Sequence, residues 1–351
     1  MSAKSSPAPV SALDGRTVAV TGAAGFIGAF TTAELAARGA TVLAVDRHPG
    51  PRPQLAALVA EGRVAFLPTG TRWPYRRAWW DEAERKGLLS GIDTVVHLGY
   101  AEPAATDPLT SYRQEVEANV MASIEMLGRL GPQVTTLCAA SSALLYGRRH
   151  REPVTERHTV DPDSPYGQAK HDLEQALSWW ADGERCVVAA RIATVYGATE
   201  TVPRAVPNFI RRALAGHQPD VEVAADERDY VHVTDVARGL ATVVEAASPT
   251  VGRFPRGLTA VNLGTGTATT TEELARTILA LIDPDLQPSV SPPGREPVSV
   301  VVDPGRLRAL TGFTPRVDLA TGLADEVAWI RHHPELWRER VGVARTRPTP
   351  P

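Results

Sequence analysis

The stretch Thr21-Gly22-Ala23-Ala24-Gly25-Phe26-Ile27-Gly28 constrains this chain more than any other. It follows Thr17-Val18-Ala19-Val20, an apolar run with the length and β-branching of a strand. It precedes Ala29 to Arg38, where Phe30, Ala33, Leu35 and Ala36 share one helical face. A glycine-rich turn between strand and helix gathers bare backbone N–H groups and the positive end of the helix at one point, which suits a pyrophosphate. Gly22 permits the tight turn, Gly25 lets the backbone approach phosphates, and Gly28 lets helix and strand pack closely, with Phe26 and Ile27 opening the helix. The spacing is a variant of the dinucleotide fingerprint. Thr41 to Val45 reads as a second strand, closed by Asp46 eighteen positions after Gly28. There a carboxylate can take both ribose hydroxyls of NAD and repel a 2′-phosphate. Arg47 beside it could accept such a phosphate, so NAD is expected and NADP stays open.

At 351 residues the chain exceeds the usual size of one core, which predicts a large domain with a smaller lobe. A net charge of −3 offers no general attraction to nucleic acid or to an anionic membrane. No apolar run reaches the roughly 18 residues a membrane span needs. The first fourteen residues lack the apolar core of a signal peptide, and Cys138 and Cys186 both sit in strand-like runs. Buried, reduced thiols and a cytoplasmic location are expected, with no metal site. Residues 1–14 and 341–351 read as flexible ends.

Strand and helix patterns alternate from residue 16 to about 190, which argues for a parallel sheet covered on both faces. Gln54–Gly62 reads as a helix, Val64–Leu67 and Thr94–Leu98 as strands, and Leu109–Leu130 as one long helix containing Asn119. Gln133–Ala140 follows as a strand, with Ser141-Ser142 just past its end. Tyr166–Trp180 reads as a helix capped by Asp163 or Ser164, and Cys186–Ile192 as a buried strand. Trp73 to Lys86 gathers three tryptophans and a tyrosine among basic residues, which reads as an amphipathic helix packed on the domain or a partner subunit; base stacking is the alternative. Beyond residue 195 the alternation loosens around Pro203, Pro207 and Pro219. A lobe over 196–340 is expected to follow a domain over 15–195, with segments of 231–265 returning to the latter.

Tyr166 and Lys170 lie four residues apart, hence on one helical face. A neighbouring ammonium stabilises a phenolate, which can then exchange a proton with a carbinol oxygen while hydride moves at the carbon. With the glycine turn, these residues make the chain resemble the extended short-chain dehydrogenase/reductase superfamily, in its sugar-nucleotide epimerase/dehydratase branch. Other matching pieces are His97-Leu98, Asn119-Val120, Ser141-Ser142 through Tyr146-Gly147, Arg191 with Val195-Tyr196-Gly197, Arg228 through Val233 with Asp235, and Asn262 through Gly266. They run from about Gly15 to Ile330.

The resemblance implies a Rossmann-type, doubly wound α/β fold with a smaller, mixed C-terminal substrate lobe. It implies a triad of Ser142, Tyr166 and Lys170, and cofactor contacts from Leu98, Gly99, Asn119, Tyr166 and Lys170 beside the glycine turn, Asp46 and Arg47. Tyr146 would line the sugar pocket or support its loop, and Thr194 stands where many relatives carry Asn. Asn208, Arg228 and Arg295 match positions that touch a nucleotide diphosphate. A departure at Gly99-Tyr100, where small alanines are usual, puts a bulkier wall near the nicotinamide ribose. Relatives that dehydrate or decarboxylate sugars usually carry an acid after the catalytic Ser/Thr; here Ala143 stands there. The expectation is therefore an NAD-dependent epimerase of a nucleotide-sugar, with 4-epimerisation of a UDP-sugar foremost. The alternatives are an NAD(P)H-dependent ketoreductase and, last, a non-catalytic dinucleotide sensor. A homodimer through Leu109–Leu130 and Tyr166–Trp180 is also implied.

Overall fold

The computed structural model describes residues 12–336, apart from 70–82, 84–86, 89–90, 149, 151 and 201. The expectations for Trp73–Lys86 and for the two chain ends fall largely outside these residues.

Seven parallel strands form the main sheet: β1 (Thr17–Thr21), β2 (Thr41–Asp46), β3 (Val64–Pro68), β4 (Ile92–His97), β5 (Thr136–Ser142), β6 (Cys186–Ile192) and β10 (Gly257–Leu263). Their order is β3-β2-β1-β4-β5-β6-β10, so the winding reverses between β1 and β4. A crevice at that switch point, beyond the carboxyl ends of the strands, is where doubly wound sheets bind ligands. The inner strands are Val- and Ala-rich and largely buried on both sides, because helices cover both faces, whereas the edge strand β3 is partly exposed. On one face Leu35 of α1 (Phe26–Ala37) and Val236, Leu240 and Val244 of α7 (Val233–Ala247) share a core with β1, β2 and β6. Arg38, just past α1, joins Glu245 of α7 at 2.7 Å. On the other face Met126 and Leu127 of α4 (Met121–Leu127) and Leu173 and Leu177 of α5 (Pro165–Ala181) pack on Leu137 and Val187. Helix α2 (Pro53–Ala60) lies between β2 and β3, starting at a proline as helices often do.

Two sequence expectations change here. The segment expected as one helix over Leu109–Leu130 consists of α3 (Pro108–Glu115), a π-helical turn over Val116–Val120, and α4. The wider turn aims Glu115, Asn119 and Ser123 at the end of β4 and the loop beyond it, where they bond Tyr100, Ala101 and His97. Ser141 and Ser142, expected beyond their strand, are its last two residues. β6 runs on beside them, so Ser141 pairs with Arg191 and Ser142 with Ile192.

The smaller lobe contains α6 (Ala205–Leu214), α8 (Thr271–Ile282) and α10 (Leu319–His332), with α9 (Gly305–Thr311) packing back against β10. A mixed sheet joins β7 (Thr194–Tyr196), β9 (Glu227–His232), β11 (Ala268–Thr270) and β13 (Ser299–Val300), and β8 (Asp220–Val221) pairs with β12 (Ser289–Val290). Phe209, Ile210, Leu274, Ile278, Leu323 and Ile330 form the lobe's own core. Among the described residues no helix is long and apolar enough to cross a membrane, and Cys138 and Cys186 are buried free thiols.

Candidate active site

The glycine turn leaves no room for side chains. Gly22 has φ +71°, and a Cβ there would stand 2.8 Å from Gly99 Cα. One on Gly28 would stand 1.9 Å from the Gly22 carbonyl oxygen, and one on Gly25 at 2.9 Å from the same atom. Helix α1 begins at Gly25 with no side chain capping its first N–H groups, which leaves them for an anion. Phe26 and Ile27 are half-buried against the sheet core. Asp46 closes β2 with its carboxylate accepting the N–H of Ala24 and of His48, both at 2.8 Å. The acid therefore also braces the turn. Arg47 is exposed. Sequence reasoning missed Arg52, whose Nε donates to the Ala24 carbonyl at 2.6 Å and whose Nη1 reaches the Thr199 carbonyl at 3.3 Å. A turn too tight for a Cβ, an uncapped helix start and an acid ending β2 together fit NAD.

On the far side of the switch point, Leu98 N–H donates to the Thr21 carbonyl at 3.1 Å, and Gly99 follows directly. His97 is buried between Thr21 Oγ1 at 2.8 Å and Ser123 Oγ at 2.9 Å. Ser123 spends its proton on the Asn119 carbonyl, so Nε2 of His97 is the donor and Nδ1 the acceptor. Burial, then the Lys170 charge, pull this imidazole down to about 3; it is neutral and structural.

Ser142 lies at the carboxyl end of β5, its Oγ accepting from Leu144 N–H at 3.2 Å. Ser164 caps α5, accepting the Gly167 N–H, with Pro165 in the first turn. A Cβ on Gly167 would stand 2.7 Å from the Leu144 carbonyl oxygen. A glycine directly after Tyr166 thus lets α5 close onto the loop that follows Ser142. Lys170 reaches across to β5 and donates to the Ala140 carbonyl at 2.9 Å. Its Nζ stands 5.7 Å from the Tyr166 ring centroid and 5.4 Å from that of Tyr100. Tyr100 meets Tyr166 edge-on, with centroids 5.4 Å apart. Its hydroxyl donates to Glu115 at 2.6 Å. Asn119 donates to the other Glu115 oxygen at 2.6 Å and holds Ala101 through both backbone groups. Glu115 went unnoticed in the sequence, although it stands one helical turn before Asn119.

Beneath this surface Glu174 of α5 and Arg191 of β6 form a buried, two-pronged ion pair at 2.7 and 3.0 Å. Ser141 donates to Glu174 at 2.6 Å. Arg191 also donates to the Tyr146 hydroxyl, which in turn donates to Asn262, each at 2.8 Å. Tyr146 is 1% exposed, and its hydroxyl is spent in this network.

In the lobe, Thr194 opens β7 opposite Tyr230, and Asn208 on α6 donates to the Pro203 carbonyl at 2.8 Å. Arg228 is bonded to the carbonyls of Glu227 at 2.8 Å and Val298 at 3.5 Å, and burial lowers its pKa. Arg295 instead turns both guanidinium arms onto Asp226, one at 2.9 Å. Arg228 is thus held by neutral groups, whereas Arg295 is already engaged by an acid.

The model of the NAD dependent epimerase/dehydratase family matches residues 18–256. A UDP-glucose 4-epimerase of Caenorhabditis elegans is 28% identical over 348 residues, covering 91% of this chain and 98% of that protein. A dTDP-4-dehydro-6-deoxy-D-allose reductase of Streptomyces bikiniensis is 30% identical over 344 residues, covering 91% and 97%. Among solved structures, MoeE5 in complex with UDP-glucuronic acid and NAD superposes with a TM-score of 0.73 at 28% identity, over 90% of this chain and 99% of the other.

Proposed function

Because this chain belongs to the NAD-dependent epimerase/dehydratase family, we propose that it inverts a carbinol carbon of a nucleotide-sugar, with C4 of a UDP-sugar as the substrate position. The observation that supports the reading is that Lys170, beside the Tyr166 ring, reaches the Ala140 carbonyl of β5, the strand that Ser142 ends, with Ala143 where a dehydratase would need an acid. Bound NAD supplies the hydride acceptor and, afterwards, the hydride donor. Tyr166 takes the proton of the sugar hydroxyl as the ketone forms and returns it to the ketone oxygen after the sugar has turned its other face. Ser142 holds that oxygen by a hydrogen bond, and the Lys170 ammonium stabilises the phenolate that takes up the proton in the first half-reaction and is restored in the second. Gly22, Gly25, Phe26, Ile27, Gly28, Asp46, Leu98, Gly99 and Asn119 shape the dinucleotide site, with Arg47 at its adenosine end. Thr194, Asn208 and Arg228 face the substrate, and Arg295 joins them by exchanging Asp226 for a diphosphate oxygen.

The reading supposes a division into an NAD domain over 15–195 and a substrate lobe mainly over 196–340. A homodimer through α3, α4 and α5 is part of it, supported by Leu109, Met121, Ile124 and Trp179, all exposed on these helices. The protein is expected to sediment as a dimer and Trp179→Glu as a monomer; a monomeric parent protein would remove this part. Buried free thiols support a cytoplasmic location.

The test combines cofactor content with turnover. Denatured protein is expected to release NAD(H), and the holoprotein to interconvert UDP-glucose and UDP-galactose. Tyr166→Phe should lower kcat at least about 10³-fold while NAD still binds. A fully active variant would sink the assignment. One observation favours a second reading, ketone reduction with external NAD(P)H: Tyr100 brings the Glu115 carboxylate into the surroundings of Lys170, which favours the phenol, the proton donor of a reductase. A protein purified without nucleotide that binds NADPH would favour it.

A further inference from the structure

We propose that Tyr100 and Glu115 are a positioning pair for Tyr166 and Lys170: the Tyr100 ring fixes the phenol and the ammonium in place, and the Glu115 anion behind it offsets part of the Lys170 charge. This rests on the reading of Tyr166 as the proton-transfer residue.

Three observations carry it. First, the Tyr100 ring meets Tyr166 at 87° and takes the Lys170 ammonium near its face at 5.4 Å, so one side chain bounds both groups. Second, Tyr100 cannot swing away. Its hydroxyl is tied to Glu115 at 2.6 Å, and the next residue, Ala101, is held at N–H and carbonyl by Asn119 at 2.8 and 3.0 Å. Third, Glu115 is 1% exposed, and each of its oxygens accepts from a separate donor, Tyr100 and Asn119. Two converging donors favour a carboxylate, which accepts from both at once.

Among the described residues, few charges act on Glu115. Lys170 on α5 is the cation that acts on it, and Glu102 on the loop after β4 is a repelling anion. Tyr166 faces Tyr100 from α5, while His97 on β4 is kept neutral by burial. On α3 itself Arg113 is paired outward with Glu117, and Tyr112 bonds Asp172 of α5. Among the described residues, Lys170 and Glu115 therefore set the local charge balance. Burial raises Glu115, while the Tyr100 and Asn119 bonds and the Lys170 charge pull it back towards the ionised form. Removing the Tyr100 hydroxyl makes Glu115 easier to protonate. That acts in the same direction as removing the acid: Lys170 is left less opposed, and the phenolate of Tyr166 is favoured.

The experiment uses the NAD-loaded full chain as parent, Glu115→Gln and Tyr100→Phe, with Tyr166→Phe as reference. Two readouts are taken across pH: UDP-glucose/UDP-galactose interconversion, and the ultraviolet phenolate signal that Tyr166→Phe lacks. Glu115→Gln is expected to move the acid limb of kcat and the phenolate midpoint down by about half a pH unit or more. Tyr100→Phe should move both the same way by less. Turnover that falls with both curves unmoved, or curves that move up, would overturn the proposal by showing a merely structural pair. Should Glu115→Gln fail to fold, Tyr100→Phe, which keeps the ring and buries no new polar group, decides alone. An active Tyr166→Phe overturns the reading of the site itself. An inactive one with unmoved curves in the other two variants overturns only the role of Tyr100 and Glu115.

Discussion

Gly28 shows how a single hydrogen atom can hold a site open. With only 1.9 Å between an added Cβ and the Gly22 carbonyl oxygen, Gly28→Ala must push α1 off the turn, because the obstacle is backbone and cannot rotate aside. The expected cost is about 1–3 kcal/mol of stability, read by urea unfolding. NAD affinity should fall at least about tenfold by calorimetry, since the helix start no longer faces the pyrophosphate. Native-like affinity would mean that the contact is not needed for binding. This position was legible because its meaning is local: strand, glycines, helix and acid follow one another within thirty residues. Tyr166 and Lys170 were legible for the same reason, one helical turn being a sequence pattern. Glu115 was not. Its role arises from Tyr100, fifteen positions earlier, and from burial, neither of which a helical pattern encodes. The ion pair of Arg295 was not legible either, since its acid, Asp226, lies 69 positions away.

Between elements, α5 is fastened to the sheet by charge as well as by packing. Glu174 and Arg191 are nearly sealed from solvent, with side chains 4% and 8% exposed. Deleting one partner leaves the other charged and buried, which costs more than losing both. Glu174→Leu is therefore expected to lose about 3–5 kcal/mol in urea unfolding, and Glu174→Leu/Arg191→Met to recover most of it. A single variant within about 1 kcal/mol of the parent would show that water reaches Arg191. The pair lies beneath Ser142 and Tyr166, so its loss should lower turnover as well. The element boundaries show what periodicity misses. Alternating strand and helix patterns marked β1 through β6 correctly as a parallel sheet. They could not show that β10 would pair with β6, each residue with a partner 71 positions earlier, nor that a π-helical turn would interrupt the segment containing Asn119. Ladder partners and inward-facing polar contacts decide such features, and those are tertiary.

Across the whole molecule, α10 closes the smaller lobe over the connection that leaves the main sheet. Gly322 of α10 lies so close to Tyr196 that a Cβ would stand 2.3 Å from its hydroxyl. Four residues on, Glu326 is fully buried and accepts the Gly197 N–H at 2.8 Å. Burial pushes this carboxyl up to about 8; the Gly197 bond and Arg211 oppose the rise, and the neighbouring Glu200 adds to it. The native state thus holds a proton that the unfolded chain, with the ordinary glutamate value of 4.5, releases. Between those two values the folded form binds more protons, so stability must fall as pH rises through the window. Glu326→Gln keeps an acceptor for Gly197 and cannot ionise. It should match the parent near about pH 5 and exceed it by about 1 kcal/mol or more above about pH 8, flattening the slope of urea midpoint against pH. Parallel slopes in the two proteins would show that the carboxyl titrates outside this range. A lowered midpoint for the variant at every pH would show that the charge itself is needed to hold α10 on Gly197. Because α10, α6 and β9 share one core, the loss at high pH should appear as one cooperative transition of the lobe, not as fraying of its final helix.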